Sequence, residues 1–261
     1  MARVLTEQVQ TGIIILETSS FASTTQLYFA NFSKLVQETP IPTELIFEPM
    51  VLVLPGQGKT FAISYLWCGA STAEEQDWRA RVTALAPTTA VLIATATPSQ
   101  MIATMTPKTP PGAHLGAAQM VSLRGLARLP DTVDKLARAI ETLPDDDLGR
   151  ALVVHPLYGR STTPPFPEGV FRNREVHFMV EILGFGVEKA RAAAGKAWAD
   201  ETLRLLRTAG DAMDATYISL TGRENLDLRR VYGDETLAWL RRLKAERDPE
   251  NVFRFAVPQL A

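Results

Sequence analysis

His155, His177 and Glu181 are the residues whose type and spacing best suit proton transfer. His155 lies in the apolar run from Ala151 to Leu157, where it shares an alternating set with Val153 and Leu157. His177, Met179 and Glu181 form one alternating set of the run from Glu175 to Leu183, opposite Val176, Phe178, Val180 and Ile182. Alternation with a period of two places each set on a single face of a strand. Imidazole titrates near neutral pH and a partly buried carboxylate is tuned upward, so these groups suit acid–base work. A competing reading makes both histidines ordinary, partly buried residues and pairs Glu181 with an arginine; spacing alone leaves both readings open. Two histidines and a carboxylate are also the donors of a facial metal triad. No diagnostic metal spacing accompanies them, and no metal is expected. His114, close to Gly112, is expected to face solvent.

The elements that must hold these residues can be read from the pattern. Gly12 to Glu17 is a β-branched run and reads as a buried strand, followed by a helix over 22–38 with Tyr28, Phe29, Phe32, Leu35 and Val36 on one face. Leu45 to Leu54 and Thr60 to Trp67 read as two strands. Ser71 with Glu74 forms a capping-box pattern opening a helix with Trp78, Val82 and Leu85 inward. Ala90 to Ala96 is a strand, 97–113 is irregular with one short helix at Gln100 to Met105, and His114 to Leu123 is a further strand. Val133, Leu136, Ile140 and Leu143 mark a helix, as do Val187, Ala190, Ala194, Trp198 and Leu205. Ala215 to Leu220 reads as a last strand. Asp145-Asp146-Asp147 reads as solvated loop carboxylates and 158–173 as a proline-containing loop. Mixed strands and helices without a sequence repeat or a low-complexity linker predict one α+β domain over residues 1–261, a large sheet covered on one side by helices.

Bulk properties exclude several function classes. The 261 residues are 46% hydrophobic and 21% charged, enough for a real core, and the formal net charge of -2 gives no basis for nucleic acid or an anionic membrane as partner. One cysteine, Cys68, excludes an internal disulfide and a thiolate cluster. The longest apolar runs are far too short to span a bilayer, and no signal-peptide pattern opens the chain, so a cytoplasmic protein is expected. Gly56-Gln57-Gly58-Lys59-Thr60 resembles part of a phosphate loop, but Val53 stands where the first glycine is required and a strand follows instead of a helix. A hairpin turn is the expectation there.

The C-terminal stretch holds Tyr232-Gly233, then Leu237, Leu240 and Leu243 at helical spacing with Lys244, then Asp248-Pro249-Glu250-Asn251-Val252-Phe253-Arg254. Pro249 must end the helix, Asp248 suits the cap of a following turn, and Phe253 is expected to plug that turn into a core. At this spacing the stretch resembles the closing signature of the berberine-bridge-type branch of FAD-linked oxidoreductases. The resemblance implies a substrate-binding domain with a large antiparallel sheet and helices behind it, the signature segment spanning 217–257. It also implies a separate FAD-binding domain, which this sequence is expected to lack. Within that family a Tyr-x-Asn motif on the last strand faces the flavin. It matches Tyr217-Ile218-Ser219, so Tyr217 joins the catalytic candidates and Ser219 replaces the asparagine. Ser219 and Asn251 become flavin contacts if a flavin domain is supplied in trans. Val257 stands where the family has glutamine, and both departures weaken such contacts.

Three functions follow from these residues. One is the substrate-binding half of an FAD-linked oxidoreductase acting on a small secondary-metabolite substrate, partnered by a separate flavin-binding domain or a second copy of itself. Another is a cofactor-free isomerase or cyclase using Tyr217, His155, His177 and Glu181 as acid, base or donor on an apolar substrate. A third is a non-catalytic small-molecule binding protein. FAD is implied by the resemblance, but not retained by this chain alone.

Overall fold

A computed structural model describes residues 8–54, 56–105, 114–125, 130–145, 150–159, 162, 170, 173–222, 225–255 and 260. Its centre is a seven-stranded sheet made of β1 (Val9–Leu16), β2 (Leu45–Leu54), β3 (Gly58–Trp67), β4 (Thr88–Ala96), β5 (His114–Leu123), β6 (Arg150–Leu157) and β7 (His177–Gly186). The spatial order is β4-β1-β3-β2-β6-β7-β5, and every neighbouring pair is antiparallel. Leu45, Phe47, Val51, Phe61, Ile63, Tyr65, Leu152, Val154, Val180 and Ile182 alternate inward, all buried. That period-two pattern gives the sheet one face to hide and one left open.

Helices cover the hidden face. Tyr28, Phe29 and Phe32 of α1 (Phe21–Glu38) are buried; the Tyr28 ring meets Phe61, and the Phe32 ring meets Phe47 and Phe178, from three strands at centroid distances of 5.7–5.8 Å. Such edge and tilted contacts add to the apolar area already removed from water. Trp78 and Val82 of α2 (Ala73–Thr83) and Leu136 and Ile140 of α4 (Pro130–Glu141) complete this layer. Between α2 and α4 in the chain runs α3 (Pro98–Met105), beside the edge strand β4. The last helix of the layer, α5 (Lys189–Arg207), approaches β7 without side chains in between. A Cβ on Gly184 would stand 2.4 Å from the Gly195 carbonyl oxygen, so only glycine allows that approach. The buried face of α5 runs through Ala192, Gly195, Trp198, Ala199, Thr202, Leu203 and Leu206. Ala190, Ala194 and Val187, expected inward, point to solvent instead.

Several local expectations move. The α2 cap is Thr72, whose hydroxyl accepts from the Glu75 amide, one residue later than the Ser71–Glu74 reading. Ser71 donates instead to the Glu75 carboxylate, which is fully buried beside the Tyr65 hydroxyl. The 56–60 stretch is the tip of the β2–β3 hairpin, with the turn at Gly56-Gln57, Gly58–Thr60 already in β3, and Gly56 and Gly58 at φ 72. Its Lys59 donates to the carbonyls of Ile140, Glu141 and Leu143, closing the C-terminal end of α4, where the helix dipole favours a cation. His114 opens β5, as the strand reading of His114 to Leu123 expects. Asp146, Asp147, Val257 and most of 158–173 lie outside the described residues.

The segment after α5 departs most from its reading. Ala215 to Leu220 is not a strand but an extended stretch with a 3₁₀ turn at Ile218–Leu220. It hugs the free edge of β5: Met213 N–H donates to the Ser122 carbonyl at 2.8 Å and Gly222 N–H to the Ala118 carbonyl at 2.9 Å. Beyond it, α6 (Leu228–Tyr232) and α7 (Asp234–Arg247) form a small second core of Val231, Tyr232 and Leu237, with Leu240 packed against it. Asp248 caps the next turn as expected, accepting from the amides of Val252 and Phe253. Phe253 does not plug a core; it is 70% exposed in the turn that follows α7, and among the described residues no apolar layer covers it.

One seam in the sheet is narrow. Strands β2 and β3 pair over ten residues and β6 and β7 over eight, whereas β2 and β6 pair among the described residues only from Met50–Val153 to Leu52–Ala151. No described helix is long and apolar enough to cross a membrane.

Candidate functional site on the open sheet face

The open face is crossed by a row of residues set by strand register. Leu92 stands opposite Ile13, Ile13 opposite Ser64, and Ser64 opposite Glu48. On the far side of the seam, His155 stands opposite Met179, and Met179 opposite Ser122. Continuing the Met50–Val153 register by two residues brings Glu48 alongside His155. Glu181, opposite Val153, is a diagonal neighbour of His155 on the same face.

These neighbours make a linear charge cluster. His155 Nδ1 lies 2.9 Å from Glu48 Oε1, and Nε2 lies 3.2 Å from Glu181 Oε2. The side chains retain only 25%, 26% and 14% exposure for His155, Glu48 and Glu181 respectively. Burial opposes a charge on the ring, but the hydrogen bonds to Glu181 and Glu48, with the carboxylate charges, outweigh it and raise the His155 pKa from 6.5 to about 9. At neutral pH His155 is therefore a charged donor, not the base that its ordinary pKa suggests. Both N–H groups are spent on the glutamates, each engaging one carboxylate oxygen. The ring nitrogens point to opposite sides, so the three groups do not converge on one point. Among the described residues no trio of His, Cys, Asp or Glu could hold a metal ion.

Of the four residues expected to act together, His155 and Glu181 do meet. His177 shares their sheet face by register, but its ring is buried at the start of β7, where Nδ1 lies 2.7 Å from the Glu175 carbonyl oxygen. Tyr217 lies beyond β5, in the edge-hugging segment, and is 36% exposed. Its loop is closed by a buried hydroxyl pair, Thr216 with Thr221 at 2.7 Å, while Thr221 donates to the Tyr217 carbonyl. Glu48 was not singled out by sequence, although a signal existed. It is the only charged residue in the apolar run Leu45–Leu54, on the face opposite Phe47 and Pro49.

A flavin, which the resemblance implies, needs a flat apolar wall for its ring and backbone amides for its phosphates. The open face offers the wall, with Ile46 and Leu92 exposed on it. The glycine-rich stretch at 56–60 offers no phosphate cradle, being a hairpin turn whose lysine is engaged on α4. Among the described residues the open face fits the ring, and the 56–60 turn does not fit the phosphate arm. Ser219 is exposed, and Asn251 takes φ 53 in the turn after α7; these are the polar groups that the resemblance assigns to the flavin.

No family model matches the sequence, and no curated protein matches it. Solved structures do match. 6-Hydroxy-D-nicotine oxidase from Arthrobacter nicotinovorans is similar over 98% of this chain and 55% of its own, with a TM-score of 0.73 and 15% identity. A BBE-like protein of Physcomitrella patens is similar over 96% of this chain and 53% of its own, with a TM-score of 0.69 and 16% identity. Aclacinomycin oxidoreductase is similar over 97% and 55%, with a TM-score of 0.70 and 16% identity. The chain has the fold of berberine-bridge-enzyme-like oxidoreductases, over about half the length of those proteins.

Proposed function

We propose that this chain forms the substrate-binding half of an FAD-linked oxidoreductase, and that a small substrate docks on the open sheet face at Glu48, His155 and Glu181. The observation that carries this reading is the cluster itself. Three ionisable side chains sit side by side and largely buried on the sheet face, where desolvation makes them costly and an apolar trio would serve stability as well or better. A strongly shifted group such as His155 is most often found at a functional site. When bound, a flavin supplies the hydride acceptor. The protonated His155 fixes both glutamates through one oxygen each, and their second oxygens accept from a substrate hydroxyl or amine, orienting it on the sheet. The flavin-binding domain is the proposed partner, and Tyr217, Ser219 and Asn251 are the proposed contacts on its side.

The test compares lumiflavin, the ring alone, with FAD by fluorescence quenching on the purified chain. This reading expects the two to bind with equal affinity, and Leu92→Glu on the open face to weaken both at least tenfold. Absence of lumiflavin binding, or binding indifferent to Leu92→Glu, refutes a flavin-facing role for this face. A second reading, a cofactor-free isomerase or cyclase, is favoured by the cluster holding a charged acid between two carboxylates without outside help. Substrate turnover in the absence of flavin, lost in Glu181→Gln, would establish it in place of the first.

A further inference from the structure

A second concavity lies apart from the Glu48–His155–Glu181 cluster, and none of those three residues lines it. It is a cleft of about 500 Å³ where the C-terminal half of α1 meets the end of β6 and the start of β7. That volume is within the roughly 300–1,000 Å³ of small-molecule pockets. Its wall is largely apolar, formed by Phe32, Val36, Ile41, Pro156 and Phe178.

Four polar residues are among those lining the cleft: Arg124, Glu175, Tyr158 and His177. Arg124 donates through Nε and Nη2 to the two Glu175 oxygens at 3.0 and 2.9 Å, a planar paired contact at the exposed mouth. The Tyr158 hydroxyl donates to the Leu45 carbonyl. His177 differs. It is 1% exposed, and its Nδ1 faces the Glu175 carbonyl oxygen, which can only accept, so Nδ1 carries the proton. Nε2 is then left as the ring's buried acceptor, and it has no hydrogen-bond partner among the described residues. An acceptor kept dry without a partner is destabilising, and a ligand donor supplies the missing bond.

We propose that this cleft is a binding site for a small, largely apolar molecule with a hydroxyl group, which donates to His177 Nε2 while its body lies against Phe32, Val36 and Phe178. A carboxylate suits the site poorly: when ionised it has no proton to give Nε2, and the guanidinium at the mouth is already matched by Glu175. A phenol or an alcohol meets both the shape and the polarity.

The experiment uses two probes of nearly the same shape, para-phenylphenol and its methyl ether, titrated into the full chain by calorimetry. The phenol is expected to bind at least tenfold more tightly than the ether, and its addition to shift the Nε2 resonance of His177 in ¹⁵N spectra. His177→Phe is expected to erase the difference between the probes, and Glu181→Gln to leave it intact. Should His177→Phe not fold, Val36→Trp fills the cleft from α1 and is expected to abolish binding of both probes. Equal affinity of the two probes for the wild-type chain overturns the proposal, as does a preference that survives His177→Phe. Binding undiminished by Val36→Trp, or no binding of either probe, overturns it as well.

Discussion

Replacing Glu48 and Glu181 together by glutamine removes both charged acceptors of His155, and the effect is readable as the pH dependence of stability. In the folded chain the His155 pKa is raised to about 9 from an ordinary 6.5. Between those values the folded state holds a proton that the unfolded state has lost, so stability falls as pH rises. The contribution is fully present below pH 6.5 and is gone above about pH 9. At 1.36 kcal/mol per pKa unit, the fall between about pH 6 and pH 8 is about 2 kcal/mol, reduced somewhat by the ring's remaining exposure. Stopping near pH 8 keeps Cys68 out of the window, since burial pushes its thiol above its ordinary value. The assay is urea unfolding across this range, with the imidazole resonances of His155 followed in parallel. In the double variant burial is left unopposed, His155 titrates below 6.5, and the fall should vanish. A wild-type stability flat from pH 6 to 8, or a slope unchanged in the double variant, would refute the reasoning.

Other perturbations test the scaffold. Lys59→Met removes the cation that closes α4 and should cost about 2 kcal/mol, read as a lowered urea midpoint with an unchanged slope. Gly184→Ala forces a methyl group against the Gly195 carbonyl and should cost about 3 kcal/mol by thermal unfolding, because backbone on both sides must shift. Phe253→Ser should leave stability within about 0.5 kcal/mol, since the ring is already in water, while reducing self-association in sedimentation.

What could be read from the residues alone depended on period and on chain-local chemistry. The strands from Leu45 to Trp67 were legible because their alternation is strict and a glycine-rich turn joins them. The one-sided sheet followed from runs such as Phe61-Ile63-Tyr65-Trp67, which need only one buried face. The α5 face was misphased because its contact runs through Gly195 against Gly184, where the signal is absence of a side chain. Ala215 to Leu220 reads as a strand by propensity, but it meets β5 only at its ends, and a 3₁₀ turn forms between them. The pairing of His155 with Glu181 was half visible, since both lie on open-face positions of their strands. Glu48 was not, because its place beside His155 depends on a strand pairing about a hundred residues apart, which no local pattern encodes. The exposed Phe253 shows a similar limit: an aromatic after a capped turn reads as inward, but whether it is covered depends on tertiary packing that the local pattern does not carry.

The narrow pairing of β2 with β6 has a mechanical consequence. Three residue pairs join the four strands on one side to the three on the other among the described residues, and just past the last of them Glu48 and His155 continue the joint through side chains. The charge cluster therefore acts as a clasp across the weakest line of the sheet, and its strength follows the protonation of one ring. Amides of Met50, Leu52 and Val153 should exchange with solvent faster above about pH 9 than intrinsic chemistry predicts, while those of the β2–β3 hairpin keep their protection. A ligand that binds the glutamate oxygens also bears on this joint, so occupancy of the face and cohesion of the two halves of the sheet are coupled through His155.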